Sequence, residues 1–209
     1  MSRIAEIALE FLGRGGKKLR PRLCHAVFEA CGGTGDLAPI CEAVECFHKA
    51  SLIHDDIQDG DEERYGRPTT WKEYDVAVAI AAGDWLVARG YQLIARSGFA
   101  TVPQMLTAVV DSHVRLCEGQ GDDLLGTGDY VTTCECKTGE AFALAAQLGA
   151  LAAGADDARY RQFGLVYGIL FQINDDLADG ETDPKLVELK EKYEREAALS
   201  RAECALGVW

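Results

Sequence analysis

Apolar residues recur at three- and four-residue intervals along most of the chain, which is the spacing of one face of an α-helix. In one such run, Ile40, Val44 and Phe47 lead into a cluster of aspartates. Glycine, proline and helix-capping residues separate the runs. The pattern predicts helices over residues 4–12, 21–30, about 36–59, 72–95, 102–125, about 136–150, about 156–179 and 185–205. Because no alternating strand pattern bounded by turn residues is found, we predict an all-α protein of about eight helices.

The length of the chain is that of one domain with its own hydrophobic core, at 209 residues. The predicted connections between helices are short, and no linker-like composition divides the sequence. Residues 1–209 are therefore expected to form a single helical domain.

Charge and cysteine content narrow the classes of partner and compartment. With 34 acidic and 21 basic residues the formal net charge is −13, which argues against nucleic acid or an anionic membrane surface as a partner. No apolar run reaches the roughly 18 residues of a transmembrane helix. The eight cysteines lie in a chain large enough to fold without disulfides, so we expect reduced thiols and a cytoplasmic protein.

The apolar run of the third predicted helix ends in Asp55-Asp56-Ile57-Gln58-Asp59. The carboxylates of Asp55 and Asp59 fall at i and i+4 on one helix face, about 6 Å apart along the axis. Like charges at this spacing destabilise a helix, which indicates that a cation compensates them. Carboxylate oxygens suit Mg²⁺, which keeps several waters and is completed by substrate phosphates.

The same D-D-x-x-D spacing recurs in Asp175-Asp176-Leu177-Ala178-Asp179, again at the end of an apolar helix. Two such acidic faces opposite each other would make a box for a polyphosphate. This repetition is the strongest functional signal in the sequence.

A basic segment near the N-terminus contains Gly15, Gly16, Lys17, Lys18 and Arg20. Glycines let the backbone approach a ligand closely, and the cations concentrate positive charge in an acidic chain. A diphosphate is the natural complement of such a segment. Taken alone, however, the segment is more typical of a solvated basic turn before a helix.

Three further cationic or titratable residues lie close to the first aspartate motif in sequence. Arg64 and Arg67 follow the motif in a predicted loop, from which they would clamp phosphate oxygens from the other side. His48 lies on the same predicted helix two turns before Asp55, although a lone helical histidine is more often a packed or surface residue.

Together these segments resemble the trans-isoprenyl diphosphate synthases, or polyprenyl synthetases. The family's motifs occur here in order and at similar spacing, over about residues 13–179: Gly16-Lys17-Lys18-Leu19-Arg20-Pro21, His48, Leu52 to Asp59, Lys137-Thr138 and Phe171 to Asp179. A single D-D-x-x-D is a weak signal, but five matching motifs in order are highly specific. The resemblance implies an antiparallel helix bundle of the isoprenoid synthase type around a central cavity, commonly a homodimer.

The resemblance also implies a Mg²⁺-dependent prenyltransferase that condenses isopentenyl diphosphate with an allylic diphosphate. In such an enzyme Asp55, Asp59 and Asp175 would hold Mg²⁺ at the allylic diphosphate and, with Lys137, form the catalytic set. The implied substrate contacts are Arg64, Lys137, Thr138 and Gln172 on the allylic side, and Gly16, Lys17, Arg20 and His48 on the isopentenyl side. Asp56 and Asp179 would lie beside the metal shell.

Product length in this family depends on residues just before the first aspartate motif, which line the cavity floor. Ala50 and Ser51 are small here, resembling medium- to long-chain synthases, so geranylgeranyl diphosphate or a longer product is favoured. Phe47, one turn earlier, is an alternative floor.

Departures from the family pattern keep two alternatives open, a terpene synthase on the same scaffold and a non-catalytic homologue or partner subunit. The usual pair of arginines after the first motif is Arg64-Tyr65 here, and tyrosine brings no positive charge. The segment expected after Asp179, with a further lysine, is not recognisable, and little precedes Gly16. The chain thus resembles a family member shortened at both ends. The tyrosine favours a terpene synthase and the missing segment a non-catalytic homologue, whereas the two intact aspartate motifs favour the prenyl synthase.

Overall fold

The computed structural model describes residues 1–204, and the predicted end of the last helix at Ala205 lies outside them. The all-α prediction is confirmed, with ten α-helices in the described residues in place of about eight. They are α1 (Arg3–Gly13), α2 (Leu19–Ala30), α3 (Ala38–Asp59), α4 (Thr70–Glu73), α5 (Val76–Ala95), α6 (Val102–Leu125), α7 (Tyr130–Cys134), α8 (Glu140–Ala152), α9 (Ala158–Ala178) and α10 (Pro184–Glu203). A π-helical turn, Glu135–Gly139, joins α7 to α8.

One predicted helix is divided in two. The segment expected to run from residue 72 to 95 forms the short α4 and the long α5, with Tyr74 between them at φ −117° and ψ −91°. The cause is a local cap, because the Asp75 carboxylate accepts a hydrogen bond from the Val78 N–H at 2.7 Å and so begins a new helix.

The predicted loop after the first aspartate motif contains a small antiparallel hairpin, which corrects the expectation that the chain has no strands. Strands β1 (Glu63–Arg64) and β2 (Arg67–Pro68) pair in register. Tyr65 and Gly66 connect them with φ values of +56° and +71°. Two consecutive positive φ angles are typical of a type I′ turn, whose twist matches that of paired strands.

The chain folds into two compact units, and the single-domain expectation stays a prediction. The first unit comprises Met1–Pro21 and Asp36–Gly98. Its core packs α1, α3 and α5 together around Phe11, Ile53 and Leu86, all fully buried. Two glycines of α5 permit this close packing, because a Cβ on Gly83 would lie 2.2 Å from the His54 ring and one on Gly90 would lie 2.4 Å from the Phe47 ring.

The second unit comprises Arg22–Gly35 and the chain from Phe99. Helix α8 is buried along most of its length, and small residues let its neighbours approach closely. A Cβ on Gly149 would lie 2.3 Å from the Cys24 carbonyl oxygen of α2, and one on Gly164 of α9 would lie 2.5 Å from the Phe142 carbonyl oxygen. Glycines at these contacts therefore allow α8 to pack closely against α2 and α9.

A buried ion triad fixes the start of α8. Glu140 is 3% exposed, and its two carboxylate oxygens accept hydrogen bonds from Arg115 and Arg161, each at 2.8 Å. Burial raises the pKa of Glu140, but the two guanidinium groups outweigh that effect and lower the pKa overall. The triad ties α6 and α9 to the end of the π-helical turn.

All eight cysteines are free thiols, as predicted. Within residues 1–204, no helix has both the length and the unbroken apolar character that crossing a bilayer requires.

Candidate active site

The first aspartate motif forms the last two turns of α3, so the predicted i, i+4 spacing of its outer carboxylates is present. Asp55 is half-buried and Asp59 is exposed. The helix ends at Gly60, which adopts the left-handed conformation at φ +73° and donates its N–H to the Asp56 carbonyl. This cap fixes the acidic end of α3.

The middle residue of the motif, Asp56, is bound by protein. Its side chain is 1% exposed and accepts a hydrogen bond from Nε of Arg64. Nη2 of the same arginine lies 3.3 Å from the Asp61 carboxylate. Burial raises the pKa of Asp56, and Arg64 opposes that rise. In this arrangement Asp56 anchors the hairpin to α3, and the predicted phosphate ligand Arg64 is engaged by carboxylates.

The basic segment and His48 meet in the first unit. Arg20 Nη1 lies 3.2 Å from His48 Nε2. Since a guanidinium has donors only, Nε2 must accept, which leaves the proton of the neutral imidazole on Nδ1. Burial and the charge of Arg20 place the pKa of His48 well below its usual value, and burial lowers the pKa of Arg20 to about 10. Lys17, on the same segment, is exposed.

A lysine that the motif analysis missed supports this segment. Lys49 is fully buried, and its Nζ donates to the carbonyl oxygens of Arg14 at 2.5 Å and Gly15 at 3.2 Å. The same Nζ lies 4.2 Å from the centre of the Tyr65 ring. A signal was present in the sequence, because position 49 shares a helix face with the apolar Ile53 one turn later, where a lysine is unexpected.

The second aspartate motif ends α9 in the second unit. Asp175 and Asp179 are exposed, and the Asp179 N–H donates to the Asp175 carbonyl at the end of the helix. The middle residue, Asp176, again binds protein donors, accepting from Gln172 Nε2 at 2.7 Å and from the Tyr130 hydroxyl at 2.6 Å. Sequence reasoning missed Tyr130, which lies 46 residues from its partner.

The π-helical turn presents Lys137 and Thr138 beside this motif. Thr138 Oγ1 donates to Gln172 Oε1 at 2.7 Å, so these two predicted substrate ligands are in direct contact. Lys137 Nζ lies 2.6 Å from the carboxylate of Asp123 on α6, another residue that the motif analysis did not select. A π-helical turn widens the helix locally and is often found at functional sites.

The donor chemistry of the two motifs is compatible with Mg²⁺. Within residues 1–204, no three histidine, cysteine or carboxylate side chains converge closely enough to hold a metal ion by themselves. Mg²⁺ does not need such a cage, since it is usually bound by one or two carboxylates with water and substrate phosphates. Asp55 and Asp59 supply such a pair in the first unit, and Asp175 is an exposed carboxylate of the second unit.

The helical architecture is that of the isoprenoid synthases. A solved geranyltranstransferase from Thermotoga maritima superposes with a TM-score of 0.86 at 26% identity, over 97% of this chain and 84% of that one. The sequence model of the family described as Polyprenyl synthetase matches residues 1–190. The chain therefore belongs to the polyprenyl synthetase family.

Two curated relatives are each 38% identical to this chain in sequence. A short chain isoprenyl diphosphate synthase from Methanothermobacter thermautotrophicus is 38% identical, over 81% of this chain and 56% of the relative. A geranylgeranyl diphosphate synthase from Mycobacterium tuberculosis is 38% identical, over 82% of this chain and 53% of the relative. The chain thus spans a little over half the length of these relatives.

Proposed function

We propose that this protein is a Mg²⁺-dependent prenyltransferase that condenses isopentenyl diphosphate with an allylic diphosphate. The observation that carries the proposal is the shared design of the two aspartate motifs. In each, protein donors bind the middle aspartate, while the outer residues lie one turn apart at an acidic helix end. Membership of the polyprenyl synthetase family and the activities named for the relatives support the same chemistry.

Asp55, Asp59 and Asp175 are the residues that would hold Mg²⁺. When bound, the metal neutralises charge that develops on the leaving diphosphate. Lys137 adds a positive charge beside the second motif, and Thr138 and Gln172 add neutral hydrogen-bonding groups.

Arg64 is proposed as a further contact for the allylic diphosphate. Its side chain carries five N–H donors in a planar fork, and its contacts with Asp56 and Asp61 involve Nε and Nη2. A guanidinium held in place by two carboxylates is preorganised to donate from its remaining N–H groups.

Gly16, Lys17, Arg20 and His48 are proposed to bind isopentenyl diphosphate. A neutral His48 whose Nε2 accepts from Arg20 has its Nδ1–H as a hydrogen-bond donor. His48 would therefore donate a directional hydrogen bond to the diphosphate, while Arg20 and Lys17 would supply positive charge. The allylic C–O bond breaks with release of diphosphate, the alkene of the bound isopentenyl group forms the new bond to the allylic carbon, and the proton lost from the product passes to the released diphosphate. Water must be excluded during this step, because it would capture the allylic cation.

We further propose geranylgeranyl diphosphate or a longer chain as the product. Ala50, just before the first motif, is small and buried at 1% exposure, and Ser51 is also small. The larger Phe47 packs its ring against Gly90 and lies 5.5 Å from the ring of Tyr91, so α5 holds it in place.

A homodimer in the cytoplasm completes the proposal. Helix α6 exposes Val110, Val114 and Leu125, with exposed fractions of 49%, 53% and 77%. Large apolar side chains repeated along one helix are typical of a surface that a second subunit covers. Eight free thiols are typical of a reducing compartment.

The proposal is tested with purified protein, Mg²⁺, isopentenyl diphosphate and farnesyl diphosphate, with products separated by chain length. An elongated diphosphate is expected. A hydrocarbon or alcohol formed without isopentenyl diphosphate would indicate a terpene synthase, and absence of any product would indicate a non-catalytic homologue.

The residue-level test compares three aspartate variants. Asp55→Ala and Asp175→Ala should each abolish turnover without loss of the folded state, as judged by circular dichroism. Asp111→Ala, an exposed aspartate of α6, should turn over at nearly the wild-type rate. A near-normal rate for either of the first two variants would remove that position from the proposed metal site.

A further inference from the structure

Lys49 has no role in the chemistry proposed above, yet it is the only fully buried lysine in residues 1–204. A buried ammonium group requires compensating partners. It finds them in the carbonyl oxygens of Arg14 and Gly15, and in the face of Tyr65 with its ring centre 4.2 Å away. The lysine is therefore placed where it fixes the backbone just before Gly16 and Lys17.

The shape of that backbone determines what the loop offers to a ligand. Gly15, Gly16 and Lys18 have positive φ angles of 29°, 95° and 50°, and such a conformation is unfavourable for lysine unless its surroundings hold it. In a trans peptide the C=O and N–H groups point in opposite directions. Because the carbonyls of Arg14 and Gly15 point to Lys49, the N–H groups of Gly15 and Gly16 point away from it. Successive backbone N–H groups in a turn are groups that can bind an anion.

Tyr65, at the turn of the hairpin, packs against the glycines of this loop. A Cβ on Gly15 would lie 2.8 Å from the Tyr65 ring, and one on Gly16 would lie 3.4 Å from its hydroxyl. The ring therefore lies directly against both glycines. The hairpin is itself tied to the loop, because Arg14 Nη1 donates to the Pro68 carbonyl at 2.8 Å.

We infer that Lys49 and Tyr65 are positioning residues for the isopentenyl diphosphate site, an inference that rests on the proposed function. Lys49 orients the two peptide groups before Lys17, and Tyr65 packs on the glycines where a second arginine was expected. At position 65 the aromatic ring of Tyr65, which packs on the loop, thus replaces an arginine whose charge would contact the ligand.

The kinetic test uses steady-state assays in which each substrate is varied in turn. Lys49→Met should raise the KM for isopentenyl diphosphate by at least about tenfold, while the KM for the allylic diphosphate changes less than about twofold. Tyr65→Leu should raise the same KM by about threefold to tenfold, whereas Tyr65→Phe, which keeps the ring, should stay close to wild type. The matched control is Lys72→Met, which removes another lysine that pairs with a carboxylate and lies over an aromatic ring; it should leave both KM values unchanged.

Two kinetic outcomes would overturn the inference. One is a wild-type KM for isopentenyl diphosphate in both Lys49→Met and Tyr65→Leu. The other is an equal rise in the KM values of both substrates, which a general structural defect would produce. If Lys49→Met does not fold, Tyr65→Leu decides, because Tyr65 is 42% exposed and its replacement leaves the core intact.

A second measurement does not depend on activity. Trypsin cleavage after Lys17 and Lys18 should be at least about fivefold faster in Lys49→Met than in Lys72→Met, because the loop is released. Unchanged cleavage would overturn the positioning role. If the wild-type protein makes no prenyl product but its loop is released by Lys49→Met, the proposed function fails while the role of Lys49 in holding the loop stands.

Discussion

Replacing Gly168 of α9 by alanine tests how the second unit positions Thr138 and Gln172. The new Cβ would lie 2.7 Å from the Gly139 Cα and 3.0 Å from the Thr138 carbonyl oxygen. Carbon atoms in contact prefer about 3.5–4.0 Å, so α9 and the π-helical turn must separate by about 1 Å. The Thr138–Gln172 hydrogen bond, now 2.7 Å long, would then exceed the usual limit of about 3.0 Å for a hydroxyl donor.

Overpacking of this kind costs about 1–3 kcal/mol. In a protein of this size each 1 kcal/mol lowers the melting temperature by about 2–4 °C, so Gly168→Ala should melt about 2–12 °C below wild type. It should also raise the KM for the allylic diphosphate, because two of its proposed ligands are displaced.

Gly121 of α6 provides the matched control, because a Cβ there would meet nothing within 4 Å. In an unhindered helix alanine is more favourable than glycine by about 0.8–1 kcal/mol, so Gly121→Ala should raise the melting temperature and leave both KM values unchanged. Thermal unfolding followed by circular dichroism, with steady-state kinetics on the same samples, measures both effects. A Gly168→Ala protein that melts at or above the wild-type temperature would refute the close approach of α9 to the π-helical turn.

Two further predictions concern stability. Glu140→Ala should lower the free energy of unfolding in urea by about 2–3 kcal/mol, because it removes the charge-assisted hydrogen bonds of two partly exposed guanidinium groups. Arg115→Met removes one of these bonds at a side chain that is 41% exposed, so it should cost only about 1 kcal/mol, and equal losses would contradict the triad. The second prediction concerns His48, whose pKa is lowered by burial and by Arg20. The unfolded chain then binds more protons than the folded one below about pH 6.5, so stability falls as the pH drops, by at most about 1.4 kcal/mol per pH unit for each such histidine. In urea titrations, His48→Gln should lose less stability than wild type between pH 6.5 and 5. His113, whose pKa burial also lowers, should account for part of the pH dependence that remains. If stability depends on pH equally in the variant and in wild type, His48 is protonated equally in the folded and unfolded states.

Helical periodicity was sufficient to predict most of the fold, because most helices bury one continuous apolar face. The predicted helix over residues 102–125 matches α6 at both ends, where Gly126 provides the left-handed cap that ends it. The break before α5 was missed because Trp71, Tyr74 and Val78 keep helical spacing across it. Only the Asp75 cap decides between one helix and two. The hairpin was missed because its strands have two residues each, too few for an alternating pattern to be recognised.

The candidate site was predictable only where its residues are neighbours in sequence. The spacing of Asp55 and Asp59 follows from the helix alone. The contacts of Lys49 with Arg14 and of Tyr130 with Asp176 join residues 35 and 46 positions apart, and no local pattern contains them. The Thr138–Gln172 contact was likewise implied only through the family resemblance, because its two residues lie 34 positions apart.

The contacts of the second aspartate in each motif explain why the motif has three aspartates and not only the outer two. Asp56 binds Arg64 of the hairpin, and Asp176 binds Tyr130 and Gln172, so in each motif the second carboxylate attaches a neighbouring segment to the acidic helix end. The first and third aspartates of each motif lie one helical turn apart, and carboxylate pairs of this kind suit the proposed Mg²⁺. A D-x-x-x-D pair without the middle residue would retain the proposed metal ligands but lose the contacts that hold Arg64, Tyr130 and Gln172 beside them. These contacts predict that the second aspartate of each motif arranges the proposed site and that the outer two supply its negative charge.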